Sequence, residues 1–536
     1  MKTRIAFLLL IPFWFFAGAN AQTPRVKWWY DILDSSFGQS AAGDIDGDGR
    51  LEVVFGCYRN DSSVYALNAE NGTLLWKYNT RTPGAEGCND VAPVIFDTDG
   101  DGRPEVIVPS SCNPATFCFD GRTGAVKWQC PTAGSDSPPT IADIDGDGKP
   151  EILHGQFGGH VICIDPETGN RKWNLPVDTK SWVQTAPTIL DADADGKPDF
   201  VVGTWNLDTN INSRFYAFRG DNQALLWSYP IGDVIYHGTA AGDINGDGKP
   251  ELIVGAYNDT LYCLDAATGA ALWKYRGGGG YVGAPAVIAD LDADGSCDIV
   301  FCSGYIVGAV NNAGALKWKH TLPFVETAFR GAAVADINGD ECKDVVFGTS
   351  HGKLIALSGC DGGELWRIDL AAHSGIADFA LDHAPLIADF DGDDSLDVFI
   401  VGGITKYPDF QNNRGRAYML TVGKGNGPDW LMFQRDIRRQ SALCGALTTE
   451  VSEQPALESP YRIVRNGLEN TAVVHFPPER LHTFTLVNIL GEIVSQSGAI
   501  TGGTAEIPLG NLAAGVYIVA VRSAQGAVFR GKIWVE

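Results

Sequence analysis

Residues 42–56 read AGDIDGDGRLEVVFG and place four acidic side chains within nine positions. Aspartates stand at positions one, three and five, a glycine that permits a sharp turn at position six, and a glutamate at position nine: Asp44, Asp46, Asp48, Gly49 and Glu52. Together with the main-chain carbonyl of position seven, these carboxylates form an oxygen-only ligand set. Such a set suits Ca²⁺, which takes ~6–8 oxygen ligands, better than Mg²⁺ with its strict octahedral geometry.

The same pattern, D-x-[DN]-x-D-G-x-x-[DE], occurs eight times along the 536-residue chain, at intervals of 46 to 53 residues. The first aspartates of these acidic loops are Asp44, Asp97, Asp143, Asp191, Asp243, Asp290, Asp336 and Asp389. Repeats of ~40–50 residues built from short strands are typical of β-propeller blades.

Strand signals surround each loop. A short apolar stretch precedes it, a β-branched run follows it, and hairpin-like segments such as VYALNAENGTLLWKY (64–78) complete the repeat. Alternating strands joined by a glycine-containing turn account for four short strands in each repeat. We name these strands A to D, with the acidic loop between A and B.

A tryptophan lies in strand D of seven repeats: Trp76, Trp128, Trp173, Trp227, Trp273, Trp318 and Trp366. The missing eighth is Trp28, which stands 16 residues before Asp44, within the spacing of the other repeats. The first strand of the mature chain is therefore expected to complete the last blade and close the ring, which removes the exposed sheet edges that favour aggregation. The alternative is that Trp430 ends the eighth blade. The predicted fold class is all-β, an eight-bladed calcium-binding β-propeller followed by a small C-terminal β-sandwich.

We predict up to eight calcium ions, because turn formation by Asp-Gly pairs does not explain a fourth carboxylate kept at position nine in every copy. The predicted ligands are Asp44, Asp46, Asp48, Glu52, Asp97, Asp99, Asp101, Glu105, Asp143, Asp145, Asp147, Glu151, Asp191, Asp193, Asp195, Asp199, Asp243, Asn245, Asp247, Glu251, Asp290, Asp292, Asp294, Asp298, Asp336, Asn338, Asp340, Asp344, Asp389, Asp391, Asp393 and Asp397. Four carboxylates within a few ångströms repel one another without a cation, so metal binding should be coupled to folding. Glu341 and Asp394 stand where glycine is expected, and we expect the sites at Asp336 and Asp389 to be strained or weaker.

These loops hold 30 of the 65 acidic residues and explain most of the formal net charge of -25. Eight divalent ions would reduce that charge to -9, so the acidity belongs to the sites and not to a partner. No nucleic-acid partner is expected for such an acidic chain.

The chain begins with Lys2 and Arg4, an apolar run over residues 5–17 and the small-x-small segment Ala19-Asn20-Ala21. This order predicts a signal peptide. A membrane anchor is the alternative, but the run is short for a span of ~20 residues. The predicted domains are a signal peptide at 1–21, the propeller at 25–442, a polar linker at 443–460 and a C-terminal domain at 461–536.

The acidic loops with their following β-runs resemble the FG-GAP (or VCBS) repeats of integrin-type propellers, and the A-L-x-A-x-x-G-x-x-L-W-K-Y segments resemble PQQ-like repeats. The resemblance implies metal loops on one face and ligand contacts on the opposite face. A quinone cofactor is not predicted, because that family has a vicinal Cys-Cys pair and this chain does not.

The C-terminal residues resemble the type A sorting domain of type IX secretion. Matching features are Asn488-Ile489-Leu490-Gly491, the segment LAAGVY (512–517) and the ending Lys532-Ile533-x-Val535. An Ig-like domain of flagellar hook-capping proteins is the nearest alternative. The resemblance implies passage across the outer membrane with the type IX machinery as a partner, and a secreted or surface location.

The leading hypothesis is a non-enzymatic binding or adhesion module that contacts a protein or glycan. Aromatic and histidine side chains on the face opposite the metal loops are the candidates for contact: Trp182, Trp205, Tyr236, His237, Tyr257, Tyr281, Phe324, His373 and His383. The alternatives are a polysaccharide-degrading enzyme similar to rhamnogalacturonan lyases, which are also calcium-loaded eight-bladed propellers, and a scaffold without a small ligand. No catalytic residue is assigned. Two disulfides are predicted, Cys88–Cys112 and Cys342–Cys360, whereas Cys118, Cys163 and Cys263 are expected to be small core residues.

Overall fold

The computed structural model describes residues 23–209 and 212–447, and within the C-terminal region residues 462–466, 471–475, 482–488, 493–497, 500, 504–509, 512, 515–523 and 526–535. The predicted signal peptide at 1–21 and residues 448–460 of the predicted linker lie outside the described residues. No helix among the described residues has the length and apolar character needed to cross a bilayer.

Eight four-stranded antiparallel sheets form the blades of a propeller, as predicted. In blades one to four, strands A to D are Ser40–Gly43, Glu52–Gly56, Ser63–Asn68, Leu74–Asn79; Val94–Phe96, Glu105–Pro109, Ala115–Asp120, Val126–Pro131; Thr140–Ala142, Glu151–Gln156, His160–Ile164, Arg171–Pro176; and Thr188–Leu190, Asp199–Gly203, Arg214–Arg219, Leu225–Pro230. In blades five to eight they are Thr239–Gly242, Glu251–Ala256, Thr260–Asp265, Ala271–Arg276; Val287–Ala289, Asp298–Ser303, Ile306–Asn311, Leu316–Thr321; Ala332–Ala335, Asp344–Gly348, Lys353–Leu357, Glu364–Asp369; and Leu386–Ala388, Leu396–Ile404, Arg414–Gly423, Arg25–Ile32.

Smaller elements complete the described part of the chain. Ser181–Trp182 pairs with Trp205–Asn206, and two short helices cover Leu370–Ser374 and Phe410–Asn412. The C-terminal region contains a three-stranded sheet (Arg462–Asn466, Thr471–His475, Thr504–Pro508) and a four-stranded sheet (His482–Asn488, Ile493–Gln496, Gly515–Ser523, Gly526–Val535). One apolar cluster contains side chains from both sheets, for example Val474 and Val519.

The first strand closes the ring, which confirms the sequence-based expectation. Arg25–Ile32 pairs with Arg414–Gly423 as the outermost strand of blade eight, and Trp29 lies opposite Tyr418. The alternative role for Trp430 is wrong, because Trp430 lies at the ring centre, where its backbone bonds to Ile387 of strand A. Blade eight therefore combines the first strand of the propeller with three strands from its last repeat. Its strands C and D are held together by hydrogen bonds and not by a connecting turn.

The strand D tryptophans join neighbouring blades. Six indoles donate Nε1–H to a carbonyl in the turn between strands C and D of the next blade, at 2.6–2.9 Å: Trp28, Trp76, Trp128, Trp227, Trp273 and Trp318. In strand C, an alanine or cysteine lies directly opposite each of the seven chain-internal tryptophans, as with Ala66 and Trp76. Cys118, Cys163 and Cys263 occupy this position and are buried, so the prediction that they are small core residues is confirmed.

Residues 424–447, here called the plug segment, fill the centre of the ring. Their backbone bonds to strand A, or to the residue that follows it, in seven blades, through pairs that include Trp430–Ile387, Leu431–Ala42, Ile437–Ile141, Arg438–Ile189, Gln440–Ala241, Ser441–Ile288 and Gly445–Asp243. Arg439 is fully buried and donates to the carbonyls of Pro93, Pro139 and Phe433. Burial lowers the pKa of Arg439 to about 10.

The plug segment enters and leaves the ring at the face that carries the acidic loops. Asn426 donates to the carbonyl of Asp336, and Gly445 accepts from the N–H of Asp243, each the first residue of an acidic loop. A disulfide between Cys444 and Cys297 fixes the exit to blade six. Contacts with the propeller therefore continue beyond the predicted boundary at residue 442.

The two predicted disulfides, Cys88–Cys112 and Cys342–Cys360, are present with Cα–Cα distances of 5.0 and 5.6 Å. The Cys297–Cys444 pair, 147 residues apart, was not predicted.

We predict that Gly72→Ala destabilises the propeller more than Gly232→Ala. Both glycines have a left-handed φ, +73° and +82°, so each substitution costs ~1–2 kcal/mol for backbone conformation. A Cβ on Gly72 would lie 2.5 Å from the Trp28 indole, whereas a Cβ on Gly232 meets nothing within 4 Å. Overpacking costs a further ~1–3 kcal/mol. Thermal unfolding of the two variants measures the difference, and equal losses would contradict the role of the blade-to-blade contact.

Candidate metal sites and the opposite face

All eight acidic loops share one backbone conformation. The first aspartate accepts a hydrogen bond from the N–H of residue six in every loop, at 2.8–3.2 Å. Residue six is left-handed in every loop, with φ from +64° to +87°. Glu341 and Asp394 adopt this conformation at φ +75° and +64°, which is unfavourable for residues other than glycine. The strain expected at these two positions is therefore in the backbone, and the shape of the loop is kept.

The carboxylate at position nine is buried in every loop. Each residue at this position is at most 3% exposed: Glu52, Glu105, Glu151, Asp199, Glu251, Asp298, Asp344 and Asp397. In seven loops it accepts a hydrogen bond from the N–H of residue two, as Glu52 does from Ile45 at 2.9 Å. Position nine thus places a buried carboxylate against the aspartates of its loop.

The loops bring acidic oxygens close enough to share a cation. Seven such groups of three or more acidic, histidine or cysteine side chains occur among the described residues, with ligand atoms that all lie within 4.8 Å of one another, and five of them belong to acidic loops as follows: Asp44, Asp46, Asp48; Asp97, Asp99, Asp101; Asp143, Asp145, Glu151; Asp191, Asp193, Asp199; and Asp290, Asp292, Asp294. These clusters could hold a metal ion.

The electrostatics of the first loop fit a hard cation. Burial raises the pKa of Glu52 to about 9, and the neighbouring Asp46 and Asp44 carboxylates raise it further. Among the described residues, Glu52 Oε1 is buried without a hydrogen-bond partner. Burial likewise raises the pKa of Asp344 to about 8, and Asp344 Oδ1 is also buried without a partner in the described part of the chain. An unpaired buried carboxylate is costly, and a bound cation would remove that cost.

On the face opposite the acidic loops, the residues around Arg330 at the centre differ from blade to blade, and we call this area the central depression. Antiparallel strands put the loops between B and C and those between D and A on this face. Seven residues before the first aspartate of each acidic loop, every blade contributes one residue at the same register: Phe37, Asp90, Asp136, Gln184, Tyr236, Gly283, Phe329 and Asp382. We call these eight residues the central ring.

Contacts around Arg330 show that the central ring converges. The guanidinium carbon of Arg330 lies 5.0 Å from the ring centre of Phe329, and 5.5 Å from those of Tyr236 and Phe37, which belong to blades seven, five and one. Arg330 Nη1 donates to Nε2 of His237 at 3.0 Å. Burial and the Arg330 charge hold the pKa of His237 well below its usual range, so this histidine is neutral.

The acidic side of the central ring carries polar atoms without partners. Gln184 Nε2 donates to Asp136 Oδ2 at 2.8 Å, and Ser111 Oγ donates to Asp90 Oδ1. Among the described residues, Asp136 Oδ1, Gln184 Oε1 and Arg330 Nε are buried and have no hydrogen-bond partner. Burial raises the pKa values of Asp90 and Asp136, and the Asp90 charge raises that of Asp136 further. A ligand with hydroxyl and acceptor groups could satisfy these atoms.

Aromatic side chains form an arc beside the central ring. Consecutive ring centres are 4.7 to 5.9 Å apart along Phe157, Trp182, Trp205, Tyr236, Phe329, Tyr281 and Tyr257. The structure thus brings together five of the predicted contact residues, namely Trp182, Trp205, Tyr236, Tyr257 and Tyr281.

The other predicted contact residues have different surroundings. Phe324 is 81% exposed and packs against Tyr305, and His373 lies beside Trp29 on blade eight. His383 is buried, and its Nε2 is 3.1 Å from Ser40 Oγ. The sequence-based analysis missed the carboxylates of the central ring and Arg330. Counting seven residues back from each acidic loop would have found the ring.

Comparison with protein-family models gives three matches. Residues 44–108 match the FG-GAP-like repeat, residues 212–418 match the model described as outer membrane protein assembly factor BamB, and residues 466–536 match the secretion system C-terminal sorting domain. The chain is therefore an eight-bladed β-propeller with one segment similar to the FG-GAP-like repeat and one similar to the BamB model, followed by a region that matches the sorting domain, as the sequence resemblances implied. The sorting domain indicates that the protein is secreted or surface-attached and involves the type IX secretion machinery. A comparison with curated proteins gives no match.

Solved structures share the propeller fold at low sequence identity. The V. cholerae biofilm matrix protein Bap1 aligns at a TM-score of 0.54 and 15% identity, over 80% of this chain and 96% of its own. A quinohemoprotein alcohol dehydrogenase from Pseudomonas putida aligns at 0.51 and 13%, over 77% and 78%. Sqt1 of Saccharomyces cerevisiae aligns at 0.52 and 10%, over 75% and 99%. Such similarity establishes the fold alone, because one fold serves many functions.

We predict that removing divalent ions with a chelator lowers the thermal midpoint, and that adding back calcium restores it. A site with a dissociation constant of ~10⁻⁴–10⁻³ M contributes ~1.4–2.7 kcal/mol at 10 mM calcium. Magnesium at the same concentration should restore less, because the loops offer no compact octahedral cage. An unchanged midpoint in chelator would contradict metal coupling to the fold.

Proposed function

We propose that this protein is an exported binding protein that recognises a glycan in the central depression of a calcium-stabilised propeller. The observation that carries the proposal is the contrast between repeated and unrepeated positions. The acidic loops and the strand D tryptophans recur from blade to blade because each does the same structural task. The central ring carries five different residue types at one register, which is expected of a position that contacts an asymmetric ligand.

The chemistry of the depression suits a sugar. Carboxylates and the Gln184 amide can accept and donate hydrogen bonds to hydroxyl groups, and Asp136 and Gln184 each have a buried oxygen without a partner among the described residues. The aromatic arc offers ring faces, such as that of Trp205, on which the apolar face of a pyranose can stack. A protein partner is the other possible occupant. A glycan is favoured because Asp136 Oδ1, Gln184 Oε1 and Arg330 Nε are buried without partners among the described residues, and sugar hydroxyl groups can donate to the two oxygens and accept from the nitrogen.

The proposed organisation assigns a task to each part of the chain. Residues 1–21 direct export as a signal peptide, the eight acidic loops hold calcium, and the C-terminal domain at 461–536 delivers the protein to the surface through a linker that ends at residue 460. The chain leaves the ring on the acidic face, where Gly445 contacts Asp243. The central depression lies on the other face and stays available to a ligand.

A second candidate function is polysaccharide cleavage at the same depression. Burial raises the pKa of Asp90, and burial together with the Asp90 charge raises the pKa of Asp136, so Asp136 is the candidate general acid and Asp90 the candidate general base. The fold does not decide between the candidates, because both a biofilm matrix protein and an alcohol dehydrogenase share it.

We predict that Asp136→Asn weakens glycan binding about 10- to 100-fold, because a hydrogen bond to a charged group contributes ~1.5–3 kcal/mol. A glycan array with calcium-loaded protein identifies the ligand, and calorimetry measures the affinity of the variant. Asp208→Asn is the matched control: this exposed carboxylate pairs with Lys180 in a B–C loop of the same face, away from the centre. No binding to any glycan, or equal loss in both variants, would contradict the proposal.

An assay for chain cleavage separates the two candidates. Incubation of bound polysaccharides with the protein should leave their length unchanged and produce no absorbance from an unsaturated product. Cleavage that is lost in Asp90→Asn and Asp136→Asn would establish the enzymatic alternative.

A further inference from the structure

The acidic loops share one backbone conformation but differ in the basic side chains that contact them. In four of them a lysine from strand D, directly before the tryptophan, reaches into the carboxylate cluster. Its Nζ lies between the side chains of positions three and nine. Lys127 is 2.7 and 2.8 Å from Asp99 and Glu105, Lys172 is 2.7 and 2.6 Å from Asp145 and Glu151, Lys317 is 2.7 Å from both Asp292 and Asp298, and Lys27 contacts Asp391 and lies 3.0 Å from Asp397.

A fifth loop receives an arginine instead. Arg219 of strand C contacts Asp193 and Asp195 at positions three and five of the loop that begins at Asp191. The residue before the strand D tryptophan of this blade is Leu226. This loop also contains a cation supplied by the chain.

The remaining three loops begin at Asp44, Asp243 and Asp336. Leucine stands before the strand D tryptophan in each of their blades, as Leu75, Leu272 and Leu365. In the described part of the chain, no lysine or arginine forms an ion pair with the acidic side chains of these three loops. A leucine cannot supply the charge that lysine supplies elsewhere.

The lysine changes what position nine can offer a metal. In the loop at Asp143, one oxygen of Glu151 accepts from the N–H of Ile144 and the other from Lys172. Both oxygens are then engaged. In the loop at Asp290, Lys317 and the N–H of Leu291 both bond to Asp298 Oδ2, and Asp298 Oδ1 is buried without a partner in the described part of the chain, so the lysine there competes with a metal through its charge and not by filling position nine. In the loop at Asp44, Glu52 has the same bond to the main chain, but its second oxygen is buried and has no partner among the described residues. Asp344 in the loop at Asp336 has the same unpartnered oxygen.

The loop at Asp243 is intermediate. It has three acids, because Asn245 replaces the aspartate of position three, and the Asn245 amide donates to Glu251 Oε1 at 2.8 Å. An amide carries no net charge, so it repels an incoming cation less than an ammonium does.

We propose that a basic side chain of the same blade, in four blades the lysine before the strand D tryptophan, lowers the calcium affinity of a loop: it supplies an internal cation that pairs with the loop carboxylates and weakens the metal site, whereas a loop without such a partner stays open. The loop at Asp44, with four acids, is then the tightest site, and the loops at Asp243 and Asp336, in which Asn245 and Asn338 leave three acids, are two further open sites. Arg219 weakens the loop at Asp191 in the same way. The inference rests on the proposed binding of calcium by the loops and ranks their affinities.

Calcium titration of the full chain, by calorimetry with native mass spectrometry, tests the ranking. The wild type should bind about three calcium ions tightly and the others at least ~10-fold more weakly, because extracellular calcium sites span at least a decade in affinity with ligand charge. Leu75→Lys should remove one tight site, and Lys172→Leu should add one. Lys274→Leu is the control, because Lys274 follows its tryptophan and lies over Tyr229 and Tyr262, away from the loops.

The outcomes separate the two ideas. Eight equivalent sites, or an unchanged number of tight sites in Leu75→Lys and Lys172→Leu, would overturn the ranking and leave calcium binding intact. No calcium bound at any concentration would overturn both. Lysine and leucine both already occur directly before the strand D tryptophan in other blades, and circular dichroism checks that all variants fold.

Discussion

Burial of a carboxylate at position nine of every acidic loop is the constraint on which this propeller depends. This carboxylate lies at the start of strand B in each blade. A buried charge without a partner is strongly unfavourable. Two kinds of partner can neutralise this carboxylate: a lysine or arginine of the same chain, or a divalent cation bound in the loop. Lys172 and Glu151 illustrate the first, and Glu52 with its unpartnered oxygen illustrates the second. Both keep the same loop backbone, so the geometry of the ring does not depend on which one a blade uses.

The structural part of the fold could be predicted because it repeats. Each loop and each strand D tryptophan gave the same signal eight times, and Trp28 identified the closing strand. The physical reason is that neighbouring blades make similar contacts: at six boundaries an indole packs on the glycine of the next turn, as Trp28 does on Gly72, and that contact requires the same residue types each time.

The plug segment and the central ring could not be predicted in this way. The plug segment bonds to strands from across the ring, each pair far apart in sequence, and has no periodic pattern of its own. The Cys297–Cys444 disulfide, which joins the plug segment to blade six, could not be predicted for the same reason, because its cysteines are 147 residues apart. The central ring was missed because its residues vary: an analysis that seeks repeated residue types overlooks a repeated position occupied by Asp90, Tyr236 or Gly283. Positions that maintain the fold thus repeat the same residue type from blade to blade, whereas the positions proposed to contact a ligand vary.

The exit of the plug segment has a mechanical consequence. A protein held at a cell surface by its C-terminal region receives any tension at the point where that region joins the ring. Here the load would enter near Gly445 and reach the Cys297–Cys444 bond, which passes it covalently into blade six. The hydrogen bonds between the plug segment and the A strands would then carry less of the load. The central ring on the opposite face would keep its shape while the C-terminal region is under tension.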